Sequence, residues 1–104
     1  MNVRIEYIQM PVSESMNTRV QRKLDKLSEK FDSIVKAEVT FKQENDPTGQ
    51  GKSCAIEVSD PGVRLYVRAY SDNFEKSLNE SMRDLKRKLR KRKTALQRHR
   101  GATS

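Results

Sequence analysis

Residues 54–70 constrain the fold most tightly. Cys54, Ile56 and Val58 alternate with Ala55 and Glu57, and Val63, Leu65, Val67 and Ala69 alternate with Arg64, Tyr66, Arg68 and Tyr70. A period of two places each set on its own face of a strand. Asp60-Pro61-Gly62 between the runs leaves room only for a tight turn, so the two strands pair antiparallel. A hairpin with one continuous apolar face is marginal alone in water. Other parts of the chain have to cover that face.

Val3-Arg4-Ile5-Glu6-Tyr7 and the run Ala37 to Lys42 repeat the alternation and predict two more half-buried strands. Between them Met16, Val20, Leu24, Leu27 and Phe31 form one apolar stripe on a helix from about Ser13 to Lys30. Ser13 suits the N-cap and Glu14 the first turn. A second stripe, Phe74, Leu78, Met82, Leu85, Leu89 and Leu96, predicts a last helix capped by Ser71 or Asp72. The order β-α-β-β-β-α describes an α+β domain. Its four-stranded mixed sheet has the first two strands parallel, through a right-handed crossover, and both helices on one face. With 104 residues the chain holds a single domain, residues 1–97, followed by an expected basic flexible tail, residues 98–104.

Charge is unevenly distributed. Residues 1–70 carry 11 Lys or Arg against 10 Asp or Glu, and residues 71–104 carry 11 against 4, so +7 of the net +8 lies in the last third. Within it, residues 85–100 read LKRKLRKRKTALQRHR, with nine cations and no acid. Leu85 and Leu89 fix this helix on the sheet. Arg83, Lys86, Arg87, Arg90 and Lys91 then fall on its sides and back. Lys88, Arg92 and Lys93 lie near the edges of the stripe, where their stems cover core surface while the charges reach water. On the first helix Arg19, Arg22, Lys23, Lys26 and Lys30 share one flank, with Glu14, Asp25 and Glu29 farther round. A flank turned toward the second helix would merge the two surfaces.

A basic run is often no more than a solvated face. Here, however, Lys86–Arg90, Arg87–Lys91 and Lys88–Arg92 are like-charge i,i+4 pairs, each costing a few tenths of a kcal/mol. An external polyanion offsets that cost, and RNA phosphates release condensed counterions when neutralised. A membrane surface would need a free apolar face on the same helix, and the sheet already uses it. The candidate RNA-binding residues are therefore Arg22, Lys23, Lys26, Lys30, Arg83, Lys86, Arg87, Arg90, Lys91 and Lys93.

Tyr66 and Tyr70, flanked by Arg64 and Arg68, fall on the open sheet face. Base stacking and ordinary cross-strand packing both account for them, and packing is the preferred reading. Cys54 is a core thiol by its phase, and the lone His99 belongs to the basic end. With one Cys and one His, and with acids scattered over strands, turns and caps, the sequence offers no catalytic pair or metal cluster. No enzyme, cofactor or small-molecule substrate is expected. MNVRIEYIQM lacks the apolar core of a signal peptide and no apolar run reaches membrane-spanning length, so a cytoplasmic protein is expected.

Several stretches together resemble one family. Val12-Ser13-Glu14 opens the first helix, and KLDKLSEKFDSI (residues 23–34) runs into the second strand. Asp72 opens the last helix, and DLKRKLRKRK (residues 84–93) lies within it. Over residues 1 to about 97 the chain resembles the ribosome hibernation-promoting factors, the ribosome-associated inhibitor or sigma-54 modulation family. The resemblance implies binding to the small ribosomal subunit and its rRNA between head and body, where mRNA and tRNA sit. It also implies arrest of translation in stationary phase or stress. Lys23, Lys26, Arg87, Lys91 and Lys93 fall on basic positions of the family, whereas Lys86, Lys88, Arg90 and Arg92 add charge beyond it. The last helix departs from the family spacing by one residue around Phe74. In length the chain resembles a short form without the C-terminal dimerisation domain, expected to be monomeric when free. Two other readings compete. A general double-stranded-RNA-binding module shares an α-β-β-β-α core, but its Gly-Pro-x-His loop is missing. A protein–protein modulator of transcription would need an acidic partner surface.

Overall fold

Alternation becomes strand in all four of the alternating runs. In a computed structural model, which describes the backbone of residues 1–103 and the side chains of residues 1–96, six elements follow one another. They are β1 (Asn2–Ile8), α1 (Glu14–Lys30), β2 (Lys36–Gln43), β3 (Lys52–Asp60), β4 (Val63–Ser71) and α2 (Phe74–Thr103). The sheet order is β1-β2-β3-β4, with β1 parallel to β2 and the other neighbours antiparallel. The tail expected at residues 98–104 lies outside the described side chains.

Register follows from the apolar phase. Ile5, Val39, Ile56 and Val67 align across the four strands, as do Tyr7, Phe41, Cys54 and Ala69. A slip of one residue would turn each of these sets to water. Onto this face α1 lays Val20, Leu24 and Leu27, and α2 lays Leu78, Met82, Leu85 and Leu89, none more than 3% exposed. Burying each such side chain contributes roughly 1.5–3 kcal/mol. Leu96 departs from the expected stripe and is 49% exposed. At about 1.5 Å per residue, α2 is longer than the strands beneath it, so its last turns run past the sheet.

The polar details are more specific. Ser13 caps α1 as expected, accepting from the Met16 N–H at 3.3 Å. The expected cap of α2, Ser71 or Asp72, is not the one used. Asn73 Oδ1 accepts from the Glu75 and Lys76 amides at 2.7 and 3.3 Å. Asp72 is occupied elsewhere, taking a hydrogen bond from Ser71 at 3.1 Å and pairing with Lys76 at 3.4 Å. Starting one residue later brings Phe74 onto the core, edge-on to Phe41 with ring centroids 5.9 Å apart. We expect Asn73→Ala to cost about 1 kcal/mol in urea denaturation and Asp72→Ala a few tenths. Equal effects would return the cap to Asp72.

Two serines tie α2 to the sheet. Ser77 and Ser81 are fully buried and donate to the carbonyls of Lys52 and Cys54 at 2.6 and 2.7 Å. At i, i+4 they lie beside the Leu78–Met82 stripe and let α2 approach β3 closely. Burial pushes the Cys54 thiol up to about 12, which leaves it no nucleophile at neutral pH. Among the described residues no three His, Cys, Asp or Glu side chains gather as a metal site, and no helix is long and apolar enough to cross a membrane.

Candidate nucleic-acid interface

The apolar stripe of α1 leaves open which way its basic flank points. It points at α2. Lys86, in the middle of α2, is half-buried, and its ammonium is held below the ordinary lysine value. Burial is the main cause, followed by the charges of Lys30, Lys23, Arg90 and Lys26. Three cations of α1 are therefore electrostatic neighbours of a fourth on α2, and the two basic surfaces are one.

Around this centre the remaining candidates spread along both helices. Arg22 joins Lys23, Lys26 and Arg19 along an exposed groove of α1. Arg83, Arg87, Arg90 and Lys91 line a second groove on the outer side of α2. Lys93 stands at the far end, its Nζ 6.0 Å above the Phe31 ring and close to Lys30. Arg22, Lys26, Lys30, Arg83, Arg87, Arg90, Lys91 and Lys93 are exposed, and Lys23 is half-exposed. Acids on the same surface are few. Asp84 pairs with Arg87 at 3.5 Å, an exposed ion pair worth about 0–1 kcal/mol. Glu75 takes Arg19 across the two helices.

Two members of the basic run near the stripe edges, Lys88 and Arg92, turn their charged ends back onto the fold instead of out to water. Lys88 Nζ donates to the Tyr66 carbonyl at 2.8 Å. Arg92 donates through Nε to Asp60 Oδ2 at 3.1 Å and through Nη2 to the Pro61 carbonyl at 2.9 Å. Sequence reasoning gave neither a partner, because Tyr66 and Asp60 are 22 and 32 residues away.

Lys86 makes a test of this geometry. A lowered ammonium pKa means that the fold disfavours the proton, so at neutral pH Lys86 costs stability. The cost disappears as pH rises through its lowered folded value toward the ordinary 10.5. Lys86→Gln should stabilise the free protein by a few tenths of a kcal/mol at pH 7, an advantage that vanishes near pH 10.5. The same change should weaken polyanion binding. A variant less stable at pH 7 would mean that the lysine stem, not its charge, governs the site.

No curated protein significantly matches the sequence. Among solved structures, the chain is similar to a ribosomal subunit interface protein from Coxiella burnetii, with a TM-score of 0.81 and 21% identity over 90% of this chain and 99% of that one. It is also similar to the N-terminal domain of Thermus thermophilus Protein Y, with a TM-score of 0.74 and 17% identity over 88% and 98% of the two chains. These likenesses concern the fold. In sequence, a family model matches residues 3–97, nearly the whole domain carrying the two basic helices. The chain belongs to the Sigma 54 modulation protein / S30EA ribosomal protein family, whose members associate with the ribosome.

Proposed function

We propose that the protein is a cytoplasmic hibernation factor, monomeric when free, that binds the small ribosomal subunit where mRNA and tRNA sit. The observation that carries this reading is the merged surface in which Lys86 lies among Lys23, Lys26, Lys30 and Arg90. Like charges held together in the free protein have an unfavourable interaction that a rigid array of rRNA phosphates relieves. The family, and the name of the Coxiella burnetii relative, support the ribosome as that array rather than nucleic acid in general.

The mechanism is occlusion. Arg22, Lys23, Lys26 and Lys30 on α1 and Arg83, Lys86, Arg87, Arg90, Lys91 and Lys93 on α2 neutralise rRNA phosphates. The domain then fills the decoding region, and no bond is made or broken. Translation is blocked under stress or in stationary phase while the ribosome stays intact.

The test is co-sedimentation of the full chain with ribosomes on a sucrose gradient, with and without mRNA and initiator tRNA. Stoichiometric binding to the small subunit that both ligands displace is the expected result. Equal binding to any structured RNA would transfer the surface to a general double-stranded-RNA module. Binding to neither would leave the transcription-modulator reading.

A further inference from the structure

The open face of the sheet carries an arrangement that the helical interface does not use. Tyr66 and Tyr70 of β4 are 45% and 46% exposed. Arg68 lies between them, its guanidinium 5.8 and 6.0 Å from the two ring centroids, and its Nη1 donates to the Tyr70 hydroxyl at 3.2 Å. Cross-strand packing, the expected role of these rings, finds no aromatic partner. The residue opposite Tyr66 is Glu57, the one opposite Tyr70 is Ser53, and β4 is the last strand of the sheet. Two large rings on an open edge strand, with a cation between them, lie beside the buried Ser53 and Ala55 of β3 and still keep nearly half of their surface in water.

What adjoins them identifies an occupant. A groove runs from Tyr66 and Arg68 round the sheet edge to Arg87, Lys88 and Lys91 of α2, with Asp84 as its one acid. Asp84 is paired with Arg87 and Lys88 with a backbone carbonyl, so Arg68 and Lys91 face the groove without an acid partner among the described residues. The groove thus offers phosphates a cationic wall that continues the α2 surface, and the strand at its rim offers bases the exposed sides of Tyr66 and Tyr70 with a guanidinium between them. The two ring centroids lie 5.8 and 6.0 Å from the one guanidinium carbon, so the rings are no more than about 12 Å apart and can each meet a base of the same unstacked strand. A duplex hides its base faces, so rings add nothing to binding it. An acidic polypeptide would use the cations and leave the rings idle.

We infer that the Tyr66–Arg68–Tyr70 face, with the groove leading to Lys91, is a binding site for single-stranded RNA, which shares Arg87 and Lys91 with the helical surface proposed above for the ribosome and adds the two tyrosines and Arg68. It goes beyond that reading, and the tyrosines, which the helical surface does not use, test it separately.

The experiment uses the full chain and a fluorescein-labelled twelve-residue oligouridylate, with anisotropy as the readout. Tyr66→Ala/Tyr70→Ala should lose at least about tenfold in affinity, as expected for losing base–aromatic stacking, with the salt dependence unchanged. Tyr66→Phe/Tyr70→Phe, which keeps the ring faces, should stay within about threefold of the wild type. Both rings are exposed, so the variants fold. Wild-type affinity in the alanine variant, no binding by the wild type, or competition by poly-glutamate as strong as by oligouridylate would each overturn the site. Sedimentation of the same alanine variant with the small subunit reports separately on the helical surface. A chain that binds oligouridylate through its rings but never sediments with ribosomes would sink the proposed function and leave this site standing.

Discussion

Replacing Arg87 and Lys91 together by glutamate is expected to lower affinity for the small ribosomal subunit by about 3–5 kcal/mol, a factor of roughly 10² to 10⁴. Both side chains are exposed, and both line the outer groove of α2. Each phosphate left without its cation should flatten the log–log salt dependence by about one unit, so the double variant should differ from the wild type by about two. Stability should hardly change, since the weak ion pair with Asp84 gives way to a like-charge contact while an acid at position 87 gains Arg83 and Arg90 at i−4 and i+3, effects of similar small size. Sedimentation across a salt series separates these effects. Unchanged affinity would remove α2's outer face from the interface, and a parallel loss of thermal stability would mean that the charges were structural.

Much of this was legible because it depends on period and phase. Alternation over residues 54–70 fixed the hairpin and its buried face, and the stripes of α1 and α2 named the residues that cover it. The cationic candidates followed from the same arithmetic. What stayed hidden depends on bonds between distant residues or on competition between neighbours. Ser13 was readable as a cap because its immediate neighbours, Val12 and Glu14, are poor N-cap residues. Asn73 was not, because Ser71, Asp72 and Asn73 are all capable, and only the Ser71–Asp72–Lys76 bonds exclude the first two. Ser77 and Ser81 read as ordinary polar positions, since nothing local announces the Lys52 and Cys54 carbonyls that take their hydroxyls. The facing of the two basic flanks was likewise undetermined, because a helix's apolar stripe fixes its rotation on the sheet but not which helix stands beside it. For Tyr66 and Tyr70 alternation gives the face but not the neighbours, and the register sets Glu57 and the buried Ser53 opposite them.

Arg92 shows how adjacent cations in one run are expected to behave in opposite ways. Its side chain is 27% exposed and pairs with an Asp60 side chain that is only 9% exposed. Asp60 Oδ1 is already buried without a partner among the described residues, so Arg92 supplies the carboxylate's one hydrogen bond through Oδ2. Removing one member of a fully buried pair costs about 3–5 kcal/mol. Partial exposure of Arg92 reduces this, and Arg92→Met should destabilise the protein by about 2–3 kcal/mol, lowering Tm by roughly 10–20 °C. Lys91→Met, one residue earlier on the exposed face, should stay within about 0.5 kcal/mol of the wild type while binding the subunit less well. Asp60→Asn combined with Arg92→Met should recover part of the loss, because an unpaired amide costs less to bury than an unpaired carboxylate. Thermal melts of the three variants decide between the roles. An Arg92→Met protein as stable as the wild type but poor at binding the subunit would make Arg92 an RNA contact, and the carboxylate beneath it would then have to be satisfied by water instead.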